Sequence, residues 1–132
     1  MLIGIDDSEE SFRAVNRVIE IQENFDGEIV AFHSVAHNIA KNSTRSASDA
    51  QEGKEILNKV EKLFKKANIS VETRLISDMH PEEYIKKAVE NEGFNLVVLG
   101  STGKHKKLEQ VLLGSIPSKV INNVLCDVLV VK

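Results

Sequence analysis

The last third of the sequence restricts the possible folds most. An apolar run, Leu96–Leu99, ends at Gly100 and is followed by two more glycines, Gly103 and Gly114. A helical pattern and a second apolar run, Val128–Val131, close the chain. A buried strand that leads through a glycine-rich loop into a helix is how many α/β proteins hold phosphate, because backbone N–H groups can then approach the anion. This segment therefore predicts an α/β fold with a phosphate site.

Apolar runs and helical patterns alternate along the rest of the chain. Strands are predicted at residues 2–5, 28–35, 69–76, 94–99 and 128–131, with a helix between each pair. Asp7 or Ser8 is placed to cap the first helix, Pro81 to begin the third and Gly93 to end it. This alternation predicts a single doubly wound, Rossmann-like α/β domain over residues 1–132. Its five-stranded, mostly parallel sheet carries helices on both faces.

One stretch, residues 36–50, breaks the alternation. Small polar residues dominate it and no apolar period survives there. We expect a mobile loop, or a lid that becomes ordered with a partner.

The composition excludes several classes of protein. A net charge of −3 argues against a broad basic face for nucleic acid, and an aromatic content of 5% leaves little for stacking bases. No apolar run approaches the length of a membrane span, and the residues before Ile5 do not form a signal peptide. The lone cysteine, Cys126, precedes the last strand, where we expect it to be buried. A cytoplasmic protein that binds neither nucleic acid nor membrane is predicted.

Candidate site residues follow the predicted strands. In an open parallel sheet, ligands bind beyond the carboxyl ends of the strands, where the strand order reverses. Asp6 and Asp7 follow the first strand, residues 33–37 end the second, residues 78–80 follow the third, and Gly100–Gly103 follow the fourth. We call Gly100-Ser-Thr-Gly103 the glycine loop. The histidine spacings do not predict a metal site, because a four-residue spacing pairs side chains on a helix and the first histidine lies in a strand.

Five segments together resemble the universal stress protein family: Ile3–Ser8, the exit of the third strand that ends in Pro81, the glycine loop, Leu112–Ser115 and Cys126–Val131. The resemblance covers nearly the whole chain in order and spacing. It implies the doubly wound fold of the adenine nucleotide α-hydrolase type and homodimers built through the last strand. In one branch of the family it also implies bound ATP, with Mg²⁺ as a candidate companion ion, in a protein of stress response or signalling.

The resemblance also assigns roles to individual residues. The cofactor-binding residues that it implies are Asp6, Val35, Gly100, Ser101, Thr102, Gly103, Gly114 and Ser115. Asp6 would contact the nucleoside end of the ligand, and the stretch ending at Val35 would run along the adenine. The glycine loop and the Gly114–Ser115 pair would bind phosphate. No general base is well placed, so no catalytic residue is predicted, and any ATP hydrolysis is expected to be slow or dependent on a partner.

The chain departs from the nucleotide-binding pattern in three places. Ten residues, not nine, separate Gly103 from Gly114. Asp7 stands where the family usually has a small residue, often glycine, and Met79 stands where glycine is common. The extra residue lies near a basic cluster, Lys104–Lys107, which either adds charge for phosphate or forms a solvated face.

Other functions remain open at this stage. The same fold can serve as a dimeric interaction module without nucleotide. A phosphoacceptor receiver domain would use Asp78. Against it, the third strand of this chain comes later than that fold needs, and no fifth helix is predicted. A nucleotide α-hydrolase needs a glycine-containing loop after the first strand, where this chain is acidic at Asp6 and Asp7.

Overall fold

The computed structural model of the protein describes residues 1–35, 43–103 and 113–132. The elements along them are β1 (Leu2–Gly4), α1 (Glu9–Gln22), β2 (Val30–Ser34), α2 (Ser43–Lys66), β3 (Glu72–Ile76), α3 (Pro81–Glu92), β4 (Leu96–Gly100), α4 (Ser115–Asn123) and β5 (Asp127–Val131). The strands form one sheet in the order β3-β2-β1-β4-β5, and all neighbouring strands are parallel. The predicted doubly wound α/β fold is therefore confirmed.

Helices cover both faces of the sheet, because successive strand residues point to opposite sides. Ile3 and Val98 face α1 and α2, where Phe64 is fully buried. Leu2 and Val97 face α3 and α4 on the other side. Strands buried on both faces read as continuous apolar runs, which is why β1 and β4 were recognisable in the sequence.

Several strand ends differ from the prediction. The third strand begins at Glu72, not at residue 69, because the ladder with β2 starts at the Val30–Glu72 pair. Ile69 and Val71 pack against the core without joining the ladder. Burial gives such residues the same apolar signature as strand residues, so the pattern extended the strand too far.

Residues 43–50 form the first two turns of α2. The prediction of a loop over residues 36–50 was therefore wrong for residues 43–50. The rest of the predicted loop, residues 36–42, lies outside the described residues. The second half of α2 is anchored by buried side chains, among them Ile56, Val60 and Phe64. Good helix formers such as Ala50 and Gln51 extend the helix upstream without needing an apolar face.

The helix ends follow the predicted capping chemistry. Ser8 caps α1, since its hydroxyl accepts from the Ser11 N–H, so Asp7 is not the cap. Pro81 is the first residue of α3, and Gly93 ends that helix with a φ of 74°, a conformation that favours glycine. Within the described ranges, no helix has the length and apolarity needed to cross a bilayer.

Candidate functional site

The strand order places a crevice between β1 and β4. The chain runs from β1 outward to β2 and β3 on one side, and the sheet continues through β4 and β5 on the other. The loop after β1 (Asp6–Ser8) and the glycine loop therefore diverge at the carboxyl edge of the sheet. This is the point at which open α/β sheets bind ligands.

Asp6 reaches this crevice with its carboxylate held in place. Its Oδ1 accepts hydrogen bonds from the backbone N–H of Ser8 at 3.1 Å and from the Ser8 hydroxyl at 2.5 Å. Its Oδ2 lies 2.9 Å from the position that a Cβ on Gly103 would occupy. The predicted partners Asp6 and Gly103 are therefore adjacent across the crevice.

Asp7 adopts a backbone conformation that favours a small residue. Its φ is +62°, in the left-handed region that glycine enters freely and aspartate tolerates. Its Oδ1 lies 3.7 Å from Nζ of Lys59 on α2. Asp78, in the loop after β3, has a φ of +63°. No three His, Cys, Asp or Glu side chains among the described residues are grouped so that they could hold a metal ion.

Gly100 serves close packing. A Cβ at this position would lie 2.9 Å from the backbone of α1, at the Glu10 carbonyl carbon and the Ser11 nitrogen. No positive φ occurs at Gly100, Gly103 or Gly114. The absence of a side chain, and not an unusual backbone angle, is therefore what these three positions require.

The start of α4 meets the glycine loop directly. The Gly114 N–H donates to the Ser101 carbonyl at 2.6 Å, and the Ser101 N–H donates to the Val131 carbonyl at 2.7 Å. Gly114 is the N-cap of α4 and provides no side-chain hydrogen bond to the first turn. The positive end of the α4 dipole therefore lies at the crevice without a side-chain cap.

Thr102 provides a buried hydroxyl beside this helix terminus. The residue is only 7% exposed, and its Oγ1 has no hydrogen-bond partner among the described residues. A buried hydroxyl without a partner is unfavourable by about 1–3 kcal/mol. An acceptor or donor on a ligand in the crevice would remove that cost.

Val35, also predicted for the site, lies on the other side of β1 from the glycine loop. It follows β2 directly, and its N–H donates to the Ile76 carbonyl at 2.9 Å. The structure thus brings Asp6, the glycine loop and Gly114 together, with Ser115 as the first residue of α4. It places Val35 one strand away at the same edge, and the basic cluster Lys104–Lys107 lies outside the described residues.

A second concavity lies at the opposite edge of the sheet. Its volume is about 470 Å³, and it is lined by the ends of α3 and α4 and by residues 93–95 and 123–127. We call it the lower groove. Leu125 in its wall is fully exposed, and Cys126 is half-buried, less enclosed than the burial expected from the sequence. Partial burial and the charge of Asp127 raise the pKa of the Cys126 thiol, so the thiol stays protonated at neutral pH.

Sequence reasoning missed the residues that hold the site in place. Ser8 was recognised as a cap but not as the partner of Asp6, although a hydroxyl two residues after an aspartate is a known turn signal. The ion pair between Glu82 of α3 and Lys119 of α4, at 2.7 Å, joins residues 37 apart in the chain. No local pattern indicates a contact over that separation.

Comparison with known proteins decides the family. The model of the universal stress protein family matches residues 1–132. The chain belongs to this family. A universal stress protein of Methanocaldococcus jannaschii is 34% identical over 139 aligned residues, which span 100% of this chain and 81% of that protein.

Solved structures of the family share the fold. The universal stress protein UspA from Lactobacillus plantarum has a TM-score of 0.87 at 18% identity, with 99% of this chain and 95% of that one covered. The universal stress protein from Archaeoglobus fulgidus in complex with dAMP has a TM-score of 0.78 at 18% identity, with 99% and 95% covered. Other structures of the family contain cAMP or, in an Arabidopsis thaliana protein, AMP. Members of the family thus bind adenine nucleotides.

Proposed function

We propose that this universal stress protein binds an adenine nucleotide, with ATP as the first candidate, in the crevice between β1 and β4. We propose that it acts in stress response or signalling. The observation that carries the proposal is the buried Thr102 hydroxyl, which has no partner among the described residues. Thr102 lies in the glycine loop. The Ser101 carbonyl of that loop accepts from the N–H of Gly114, at the start of a helix that has no side-chain cap. Adenine nucleotides in other family members support the choice of ligand.

Each part of the crevice has a role in this proposal. The negatively charged phosphates would lie at the positive end of α4, where Ser115 presents a backbone N–H group and Gly114, whose own N–H donates to the Ser101 carbonyl, allows close approach. The glycine loop would add the backbone N–H groups of Thr102 and Gly103 and the hydroxyls of Ser101 and Thr102. Asp6 would accept hydrogen bonds from the nucleoside, and Val35 would contact the adenine.

Magnesium would enter on the nucleotide. Mg²⁺ keeps several waters and is commonly held by substrate phosphates with one or two carboxylates. Asp6 and Asp7 are the carboxylates on the loop after β1. We propose a binding protein of the cytoplasm, with any hydrolysis slow or dependent on a partner.

A calorimetric titration with ATP, with and without magnesium, tests the proposal. We expect a dissociation constant in the micromolar range or tighter, a binding free energy of about −8 kcal/mol. Such binding would also show that the tenth residue between Gly103 and Gly114 is tolerated. The absence of heat up to millimolar ATP, from folded protein free of carried-over ligand, would contradict the proposal. With the dimer intact, that result would favour an interaction module.

The two edges of the sheet support a homodimer through β5. Backbone groups of Asp127 and Val131 pair with β4, through Asn95 and Ser101, so those of the alternate residues Val128 and Val130 face the open edge. Apart from Asp127, the residues of β5 are apolar. The β3 edge carries charged and polar residues: Glu72, Thr73 and Arg74. Charged side chains discourage pairing between edges. We therefore propose pairing of β5 with β5 of a second copy.

We expect Val130→Pro to convert the dimer to a monomer. Proline removes the outward N–H of Val130 but leaves the hydrogen bonds between β4 and β5 intact, because Val130 lies opposite Leu99 with its own N–H and C=O directed away from β4. Thr73→Pro is the matched control, since the backbone of Thr73 faces outward at the β3 edge. Sedimentation of both variants checks this. A dimeric Val130→Pro protein, or a monomeric wild type, would refute pairing through β5.

A further inference from the structure

α4 is held at its start by the glycine loop and at its middle by an ion pair. Nζ of Lys119 donates to Oε1 of Glu82, in the first turn of α3, at 2.7 Å. Lys119 follows Ser115 by four residues, so the two side chains lie on the same face of α4, one turn apart. The ion pair therefore joins α3 to α4 one turn away from the crevice.

Glu82 is more enclosed than an ordinary surface carboxylate. Its side chain is 22% exposed, and its Oε2 is buried without a hydrogen-bond partner among the described residues. Partial burial raises the pKa of the Glu82 carboxyl. The hydrogen bond and charge of Lys119, a backbone hydrogen bond and the charge of His80 outweigh burial, so the pKa lies below its usual value. Glu82 is therefore ionised at neutral pH, and losing Lys119 would leave a partly buried charge alone.

α4 has few other anchors. It is nine residues long, and its N-cap contributes no side-chain hydrogen bond. Pro117 and Val120 are its buried residues. A helix this short is marginal in isolation, so its orientation depends on tertiary contacts. The Glu82–Lys119 pair is a directional contact of this kind, one turn from the end that faces the crevice.

We infer that Glu82 is a positioning residue for phosphate recognition. Through Lys119 it holds α4 so that the start of the helix, with the backbone N–H group of Ser115, stays in place for the phosphates. The inference rests on the proposed nucleotide-binding function. It assigns Glu82 an effect on the phosphate end of the ligand and none on the nucleoside end.

α3 offers a matched control for this inference. Glu83 pairs with Lys87 at 2.9 Å, four residues along the same helix, and both side chains are about half exposed. Glu83→Gln breaks an ion pair of similar length in the same turn of α3 as Glu82, but that pair does not reach α4. An effect that appears with Glu82→Gln and not with Glu83→Gln comes from the link to α4.

The test compares ATP with adenosine, which lacks phosphate, by calorimetry. We expect Glu82→Gln and Lys119→Met each to weaken ATP binding about fivefold, as is usual for coupled neighbouring groups. Adenosine binding should change by less than about twofold, and Glu83→Gln should change neither affinity. The double variant with Glu82→Lys and Lys119→Glu should recover part of the ATP affinity, because it restores an ion pair.

The outcomes separate this inference from the proposed function. Wild-type protein that binds neither ATP nor adenosine overturns both. Wild-type binding of ATP overturns the positioning role alone if Glu82→Gln leaves that affinity unchanged, or if it weakens ATP and adenosine equally. If Glu82→Gln does not fold, Lys119→Met provides the test, because the Lys119 side chain that it replaces is 55% exposed.

Discussion

Gly100→Ala is expected to destabilise the protein by about 2–3 kcal/mol, although it adds one carbon atom. That carbon would lie 2.9 Å from backbone atoms of Glu10 and Ser11, and backbone at the start of α1 cannot move aside as a side chain can. For a chain of this size the loss corresponds to a melting temperature lower by about 6–12 °C. Thermal unfolding followed by circular dichroism measures it.

Two other glycines provide a graded control for this prediction. A Cβ at Gly4 would meet the Leu99 side chain at 2.7 Å, and a side-chain tip can rotate away. Among the described residues, the one atom within 4 Å of a Cβ at Gly27 would be Oε1 of Gln22, at 4.0 Å. We therefore expect Gly4→Ala to cost less than Gly100→Ala, and Gly27→Ala to change stability by less than about 0.5 kcal/mol. Equal losses at Gly100 and Gly27 would contradict the packing role.

Gly103→Val is expected to abolish most ATP binding and leave the fold intact. The new side chain would enter the crevice, where its Cβ alone would lie 2.9 Å from Oδ2 of Asp6. Ser8 holds that carboxylate, so Asp6 cannot yield without losing two hydrogen bonds. We expect the dissociation constant for ATP to rise at least about 100-fold, which is about 2.7 kcal/mol. Gly103 is exposed, so the melting temperature should fall less than in Gly100→Ala.

Calorimetry of Gly103→Val beside Gly27→Val checks this second prediction. Both glycines are exposed, and neither requires a positive φ. Gly27 precedes β2 at the opposite edge of the sheet, so its variant should bind ATP as the wild type does. If Gly103→Val bound ATP within about threefold of the wild type, the ligand would not lie against the glycine loop.

The sequence predicted the order of elements and the position of the site better than the contacts within the site. Buried runs such as Leu96–Leu99 and cap residues such as Pro81 and Gly93 carry local signals, and the structure contains their elements. The first turns of α2 were missed because their residues favour a helix through propensity without an apolar period. The reason for Gly100 was also hidden, since a phosphate loop and a closely packed helix require the same residue.

The contacts that hold the site depend on tertiary structure. Asp6 meets Gly103 only because β1 and β4 are neighbours in the sheet, and Glu82 meets Lys119 only because α3 and α4 share a face. Asp7 appeared to be the cap of α1 because aspartate suits that role. Ser8 was the other candidate, and the left-handed backbone of Asp7 gives the role to Ser8. Such outcomes depend on three-dimensional neighbours that a linear pattern does not contain.

Amide chemical shifts recorded during an ATP titration test the central claim most directly, because they locate the ligand. The crevice and the lower groove lie at opposite edges of the sheet. If ATP binds in the crevice, the largest shift changes fall on Asp6–Ser8, Gly100–Gly103 and Gly114–Ile116, and residues 123–127 stay unchanged. Changes concentrated at residues 93–95 and 123–127 would place the ligand in the lower groove and contradict the account.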